Sequence, residues 1–277
     1  MVNDKHSPAP VGYGRKHIRP PLAARFAENS CIAVAQLVLT CHFIHADEPP
    51  LISYHRAVLF DKIRVIHDLT PRSAAVNMAC DEVLLERVAV PTLRIYRWEK
   101  PAVSFGYFIR HTALATIAQG REIVRRMTGG GIVEHGNDLT YSLILPAAHP
   151  LAECPPRESY RAIHSAIATW LELRGIITRL SPTPAGGPAN VCFESAAEFD
   201  LVAGAQKVAG AAQRRTRHGL LHQGSVQYHG VSEVDRAAFP AAFTTDGEMQ
   251  ALEPVSVFAA EELAARKYAL STWTERV

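Results

Sequence analysis

Between positions 125 and 142 the chain reads RRMTGGGIVEHGNDLTYS, and this stretch gathers side chains that could do chemistry. Two cations, Arg125 and Arg126, stand just ahead of Thr128 and three consecutive glycines, Gly129, Gly130 and Gly131. His135, Asp138, Thr140 and Tyr141 follow. A backbone without Cβ atoms lets a ligand come close, and three glycines in a plain turn would cost entropy for nothing. Guanidinium groups beside such a loop bind phosphates or carboxylates. An imidazole can orient the loop or take a proton from an incoming amine. The pattern suits an anionic or carbonyl-bearing ligand, such as an acyl group or an acyl-adenylate. If the arginines lie on a strand, successive side chains point to opposite faces, so at most one of the pair enters the pocket.

Such a loop needs strands around it. The spacing predicts strands over 62–69, 92–99, 101–108, 122–128 and 138–146, the last leading away from the glycines. A helix is predicted over 73–89, with Ser73 as its N-cap and Met78, Val83, Leu84 and Val88 on its apolar face. Further helices are predicted over 111–120, 157–174 and 258–277, with Gly175 ending the second of these. Residues 181–190, SPTPAGGPAN, read as a loop. Strands follow over 198–204, 206–216 and 219–229. No regular βαβ repeat appears, so the expected class is α+β: a mixed, mainly antiparallel sheet with helices against one face.

The 277 residues suffice for a substantial core, and 48% hydrophobic with 20% charged is an ordinary soluble composition. A formal charge of +2 gives no sign of nucleic-acid binding. The 13 histidines are scattered without zinc spacing, so no metal is expected. Five cysteines, Cys31, Cys41, Cys80, Cys154 and Cys192, form no disulfide framework and suit reduced thiols in a cytoplasmic enzyme. The longest apolar run, 31–44, falls short of the roughly 18–20 residues that a membrane helix needs. Basic residues precede it, but the leader is long and Pro-rich and no cleavage site stands out. Residues 1–58 are expected to be a poorly ordered extension, and 59–277 the compact domain.

Two long motifs in order, RRMTGGGIVEHGNDLTYS at 125–142 and FDLVAGAQKVAGAAQRRTRHGLLHQGSV at 199–226, resemble the lipoate/octanoate branch of the biotin–lipoate ligase superfamily. NMACDEVLL at 77–85 and SFGYF at 104–108 are similar to that family's preceding helix and strand. The resemblance implies attachment of octanoyl or lipoyl groups to a lysine of small carrier domains. The glycine-rich loop of biotin ligases, of GRGRxG type, is absent.

Under this resemblance Lys207, in QKVAGAAQ, occupies the place of the family's essential lysine. There an ammonium can hydrogen-bond the acyl carbonyl and balance developing negative charge, with Gly210 leaving room beside it. Cys192, in NVCFES, falls where one subgroup of octanoyltransferases carries a nucleophile. A thiolate there would take the acyl group as a thioester, and the acceptor lysine would resolve it. Its bland alternative is a small buried hydrophobe, which is how the other four cysteines read. Arg125, Arg126, Thr128, the three glycines, His135, Tyr141 and Gly210 are the substrate-binding candidates, with His222, Gln223 and Gly224 secondary.

Three functions follow from the resemblance. The first is acyl transfer through Cys192 from acyl carrier protein or another lipoyl donor, with no cofactor. The second is lipoate ligation through lipoyl-adenylate, which needs ATP and Mg. The third is a non-catalytic homologue that binds lipoyl domains. The acceptors implied are the glycine-cleavage carrier protein and the lipoyl domains of 2-oxoacid dehydrogenases, with no nucleic acid or membrane partner.

Overall fold

A computed structural model of the protein describes residues 58–182 and 196–276. The extension expected over 1–58 and the nucleophile expected at Cys192 therefore lie essentially outside the described residues.

The strands are β1 (Ile63–Arg72), β2 (Thr92–Trp98), β3 (Ala102–Phe105), β4 (Glu122–Arg125), β5 (Ile132–His135), β6 (Leu139–Pro146), β7 (Arg179–Leu180), β8 (Leu201–Ala203), β9 (Gln206–Arg215), β10 (Gly219–Val226) and β11 (Gly247–Gln250). The helices are α1 (Ala74–Glu86), α2 (Pro150–Glu153), α3 (Pro156–Glu172), α4 (Glu233–Ala238), α5 (Pro254–Leu263) and α6 (Ser271–Thr274). A π-helical turn, Ala264–Tyr268, continues α5.

Eight strands form the main sheet in the order β11-β1-β2-β6-β10-β9-β8-β7. β1 runs parallel to β11 and β2, and the other pairs are antiparallel. A small sheet, β4-β3-β5, stands apart. The fold class is thus the expected α+β, with one difference: helices cover both faces of the main sheet. The reason lies in β6 and β10, which are buried nearly end to end. Strands covered on both sides read as near-continuous apolar runs. Leu143 and Leu145 pack with Ile163, Ile167 and Trp170 of α3 on one face, while Ile144 and Leu221 meet Leu85 of α1 on the other.

Helix α1 starts where its sequence says it should. The Ser73 hydroxyl accepts from Val76 N at 3.4 Å, a cap worth about 1 kcal/mol. Glu122 of β4 adds a long-range cap, accepting from Ala74 N at 2.7 Å. This bond ties α1 to the strand that leads into the glycine loop. Two expectations change. Residues 111–120 form only a 3₁₀ turn, His111–Leu114, and β5 intervenes between the glycines and β6. No helix among the described residues is long and apolar enough to cross a membrane.

Candidate active site around the glycine loop

The glycine loop hangs over one face of β9. Lys207, Gly210 and Ala212 mark that face, the register shift between β8 and β9 bringing Lys207 round to the side of the even positions. A Cβ added to Gly210 would lie 2.5 Å from Lys207 Cε and 2.8 Å from its Nζ. A Cβ on Gly130 would lie 3.1 Å from the Ala212 Cβ. Lysine and glycine loop, expected together from the motifs, therefore share one narrow strip of strand with almost no side-chain bulk between them. Gly130 has φ +81°, a left-handed conformation that favours glycine. The loop's other wall is Gly106, where an added Cβ would meet Gly130 O at 1.9 Å and Gly129 O at 2.7 Å. Gly106 N donates to Gly131 O (3.0 Å) and Tyr107 N to Thr128 O (2.8 Å), pinning the loop to the end of β3.

The arginine pair divides as strand alternation requires, but neither guanidinium serves as the expected open anion contact. Arg126 turns inward and donates to Gly129 O (3.1 Å), Gly131 O (2.8 Å) and Ser104 Oγ (2.7 Å). Arg125 donates from Nε and both terminal nitrogens to the carbonyls of Tyr107, Ile109, Trp273, Thr274 and Arg276. Its donor capacity is consumed by backbone, so it straps the C-terminal segment to the loop's root rather than binding a phosphate. Trp273 closes the strap by donating from Nε1 to Arg125 O at 3.0 Å.

His135 is likewise a brace. Its Nδ1 lies 2.8 Å from Asp138 Oδ2, its Nε2 lies 2.7 Å from Ser104 Oγ, and Trp98 stacks on its ring at 4.1 Å. With the proton on Nδ1, the imidazole donates to Asp138 and accepts from the Ser104 hydroxyl, which itself accepts from Arg126. Burial alone would raise the Asp138 pKa. His135, Ser225 and Thr140 outweigh that and hold it at about 2. A polar line thus runs from Asp138 through His135 and Ser104 to Arg126 and the glycine carbonyls. A cavity of about 440 Å³ opens beside His135 and Asp138, between Gln206 and Gln227.

Thr128 and Tyr141, expected at the ligand, are fully buried and bonded to neighbouring side chains. Thr128 donates to Gln223 Oε1 at 2.8 Å, and Gln223 Nε2 donates to Asp81 Oδ2 at 2.7 Å. Asp81 Oδ1 accepts from Arg94 at 2.8 Å, and Arg94 also pairs with Asp68 at 2.7 Å. The loop's first residue is therefore moored to an ion cluster in the core. Tyr141 Oη lies 3.1 Å from His222 Nε2, and its ring fills the place of a side chain at Gly224.

Asp200 is the site residue that sequence reading passed over. Its carboxylate meets Lys207 Nζ at 2.8 Å, accepts from Tyr160 Oη at 2.6 Å, and accepts from Ala197 N at 2.6 Å. The only hint in the sequence was an acid seven positions ahead of the lysine. Beneath it lie two buried histidines. Burial lowers the His164 pKa to about 4 and takes His222 well below its ordinary value. His164 Nδ1 lies 2.7 Å from Phe199 O, where the backbone adopts φ +65°. That conformation is costly for a bulky residue, so the contacts around it must hold it there.

The lipoyl protein ligase A/B catalytic-domain family model matches residues 73–261, which takes in the glycine loop, Asp200 and Lys207. The chain belongs to this family. Among relatives of this lipoyl ligase-like chain, octanoyltransferase LipM of Oceanobacillus iheyensis is 40% identical over 166 residues, covering 57% of this chain and 61% of the relative. LipM of Bacillus anthracis is 31% identical over 218 residues, covering 73% and 77%. The chain spans about three fifths of the length of the first curated relatives it matches. Family members among solved structures carry the same fold at low identity. Protein Ta0514 from T. acidophilum, with bound lipoic acid, gives a TM-score of 0.64 at 21% identity, covering 78% of this chain and 99% of its own. A lipoate-protein ligase A bound with ATP gives 0.63 at 20% identity, covering 77% and 98%.

Proposed function

We propose that this protein is an acyltransferase of protein lipoylation, moving an octanoyl or lipoyl group from an acyl-carrier thioester to a lysine of a lipoyl carrier domain. The observation that carries the reading is the strip on β9: Lys207, neutralised by Asp200, beside a strand floor of Gly210 and Ala212 roofed by the glycine loop. The similarity to octanoyltransferases at up to 40% identity among the matches given above favours transfer over ligation. The likeness to ligase structures, at 21% identity or less, speaks for the fold alone.

In the proposed reaction the Cys192 thiolate attacks the donor's thioester carbonyl. The old C–S bond breaks, the carrier sulfur leaves and takes up the proton that the Cys192 thiol first gave to base or solvent, and the acyl group remains as a Cys192 thioester. The acceptor lysine, deprotonated, attacks that carbonyl. An amide forms, the Cys192 thiolate departs, and the amine's surplus proton passes to solvent or base. Lys207 donates to the oxyanion in both steps, where a preorganised donor is worth about 10²–10³ in rate. Asp200 pairs with the ammonium and aims it. The chemistry requires no cofactor. It takes place in the cytoplasm, where lipoyl domains and acyl carriers are made.

Steady-state transfer from octanoyl-carrier to an unmodified lipoyl domain, with ATP omitted, tests the reading. Turnover that vanishes in Cys192→Ser supports it. Turnover that requires ATP and survives Cys192→Ser overturns it in favour of lipoyl-adenylate ligation.

A further inference from the structure

The segment next to the glycine loop carries an unusual surface. Phe108 is 81% exposed, although it sits two residues from the buried Gly106 that grips the loop. Its ring packs edge-on against Tyr107 at 5.1 Å, and Arg110, two residues on, is exposed, as are Arg214 and Arg276. Arg276 stacks on Tyr107 at 4.4 Å and on Trp273 at 5.1 Å, and Arg214 approaches Tyr107 at 5.8 Å. None of the three forms an ion pair among the described residues. The carboxylate nearest in sequence is Glu275, exposed in the same tail. Arg125 fixes the arrangement: its guanidinium holds the carbonyls of Tyr107, Ile109 and Arg276 together, so tail and loop present one surface.

We propose that this face, with Phe108 as an apolar anchor and Arg110, Arg214 and Arg276 as its cations, docks the acceptor domain, which would present an acidic rim around an apolar hollow. The proposal rests on the acyl-transfer reading and adds where the acceptor binds. Charge selects an acidic partner, and an exposed aromatic among arginines has the composition of an interface hot spot. Geometry selects the acceptor over the donor. Arg214 is two residues beyond Ala212, the contact point of the glycine loop. A partner seated there lies against the loop itself. An acceptor must come that close because its only arm is a lysine side chain, whereas a donor delivers its acyl group on a long phosphopantetheine arm and can dock farther away.

The test uses the full chain, an unmodified lipoyl domain of a 2-oxoacid dehydrogenase, and octanoyl-carrier as donor. The variants are Arg214→Glu, Arg276→Glu, their double variant, and Phe108→Ser. All three side chains are exposed, and thermal unfolding checks that each fold is intact. The expected result is a KM for the lipoyl domain raised about tenfold or more in the double variant, with kcat and the rate of acyl loading from the donor unchanged. Titration of the lipoyl domain by NMR should show the same loss of affinity, and wild-type binding should weaken with salt. Unchanged binding in the double variant overturns the proposal. So does slowed loading from the donor with acceptor KM unchanged, which would hand the face to the donor. The titration does not depend on turnover. If wild-type protein transfers no acyl group yet binds the domain through these residues, the catalytic reading fails and the docking face stands.

Discussion

Two charged clusters flank the glycine loop, and they are built to opposite ends. On the α1 side Arg94 is wholly buried between Asp68 and Asp81. Asn77, Ser142 and Gln223 add hydrogen bonds to this pair of ion bridges, and Arg72 takes the other oxygen of Asp68. On the β9 side Lys207 meets Asp200 with the lysine side chain still 13% exposed. The first cluster is sealed and reaches the loop only through Gln223 and Thr128. The second places an ammonium at the floor of the slot. A buried ion pair is a poor source of net stability but a severe loss when one partner is removed. The sealed cluster therefore acts as a mooring that fixes where the loop begins, and the open one carries the group proposed to meet the acyl carbonyl.

The contrast can be broken at its strongest point by Arg94→Met, which removes the cation paired with buried Asp81 and leaves Asp68 only its Arg72 partner. Denaturant unfolding should show a loss of about 3–5 kcal/mol; a loss under about 1 kcal/mol would mean that the cluster is not a mooring. Lys207→Ala should do the reverse. It should cut kcat by about 10²–10³, equivalent to roughly 2.7–4 kcal/mol, with a smaller loss of stability than Arg94→Met in the same unfolding assay.

Acid should separate the two sides without mutation. His164 is buried neutral with its pKa lowered to about 4. It contributes stability that is present in full above its unfolded pKa of about 6.5 and is lost as pH falls through about 4. That loss is about 3 kcal/mol in total. Asp68 and Asp138 have lowered pKa values, so their contributions persist until pH drops below the ordinary carboxylate range. Hydrogen exchange near pH 5 should show lost protection around α3 and β8 while α1 and β2 stay protected. Uniform loss would erase the distinction. The mildest probe is Asp200→Asn, which leaves Lys207 in place and removes the Asp200 charge beside it. A fall of about tenfold in kcat with KM for the acceptor unchanged is expected, the size of one charge-assisted hydrogen bond.

The glycine loop and most strands were legible because their signals are local: consecutive glycines, period-two alternation, a serine before an amphipathic run; Lys207 stood out only through the family resemblance. The sealed cluster was not, because Arg94 finds Asp68 twenty-six positions away and Gln223 finds Asp81 across 142. No short-range pattern marks such pairs. Asp200 was missed for the opposite reason. It is near Lys207 in sequence, but only the β8–β9 hairpin and the bulge between Leu201 and Val202 bring its carboxylate back to the ammonium. Arg125 read as a candidate anion contact because a guanidinium beside glycines can pin a phosphate, and nothing local says that the chain returns 148 residues later to occupy it. Strand β11 was missed because its GEMQ sequence is largely exposed and carries no alternation.

Intact-protein mass spectrometry after mixing with octanoyl-carrier, ATP omitted, probes the slot most directly. The chain should gain the mass of one octanoyl group, mapped to Cys192 by peptide analysis, absent in Cys192→Ser and discharged on adding a lipoyl domain. A chain that stays unmodified while ATP and octanoate or lipoate together drive modification of the lipoyl domain would contradict a thioester route.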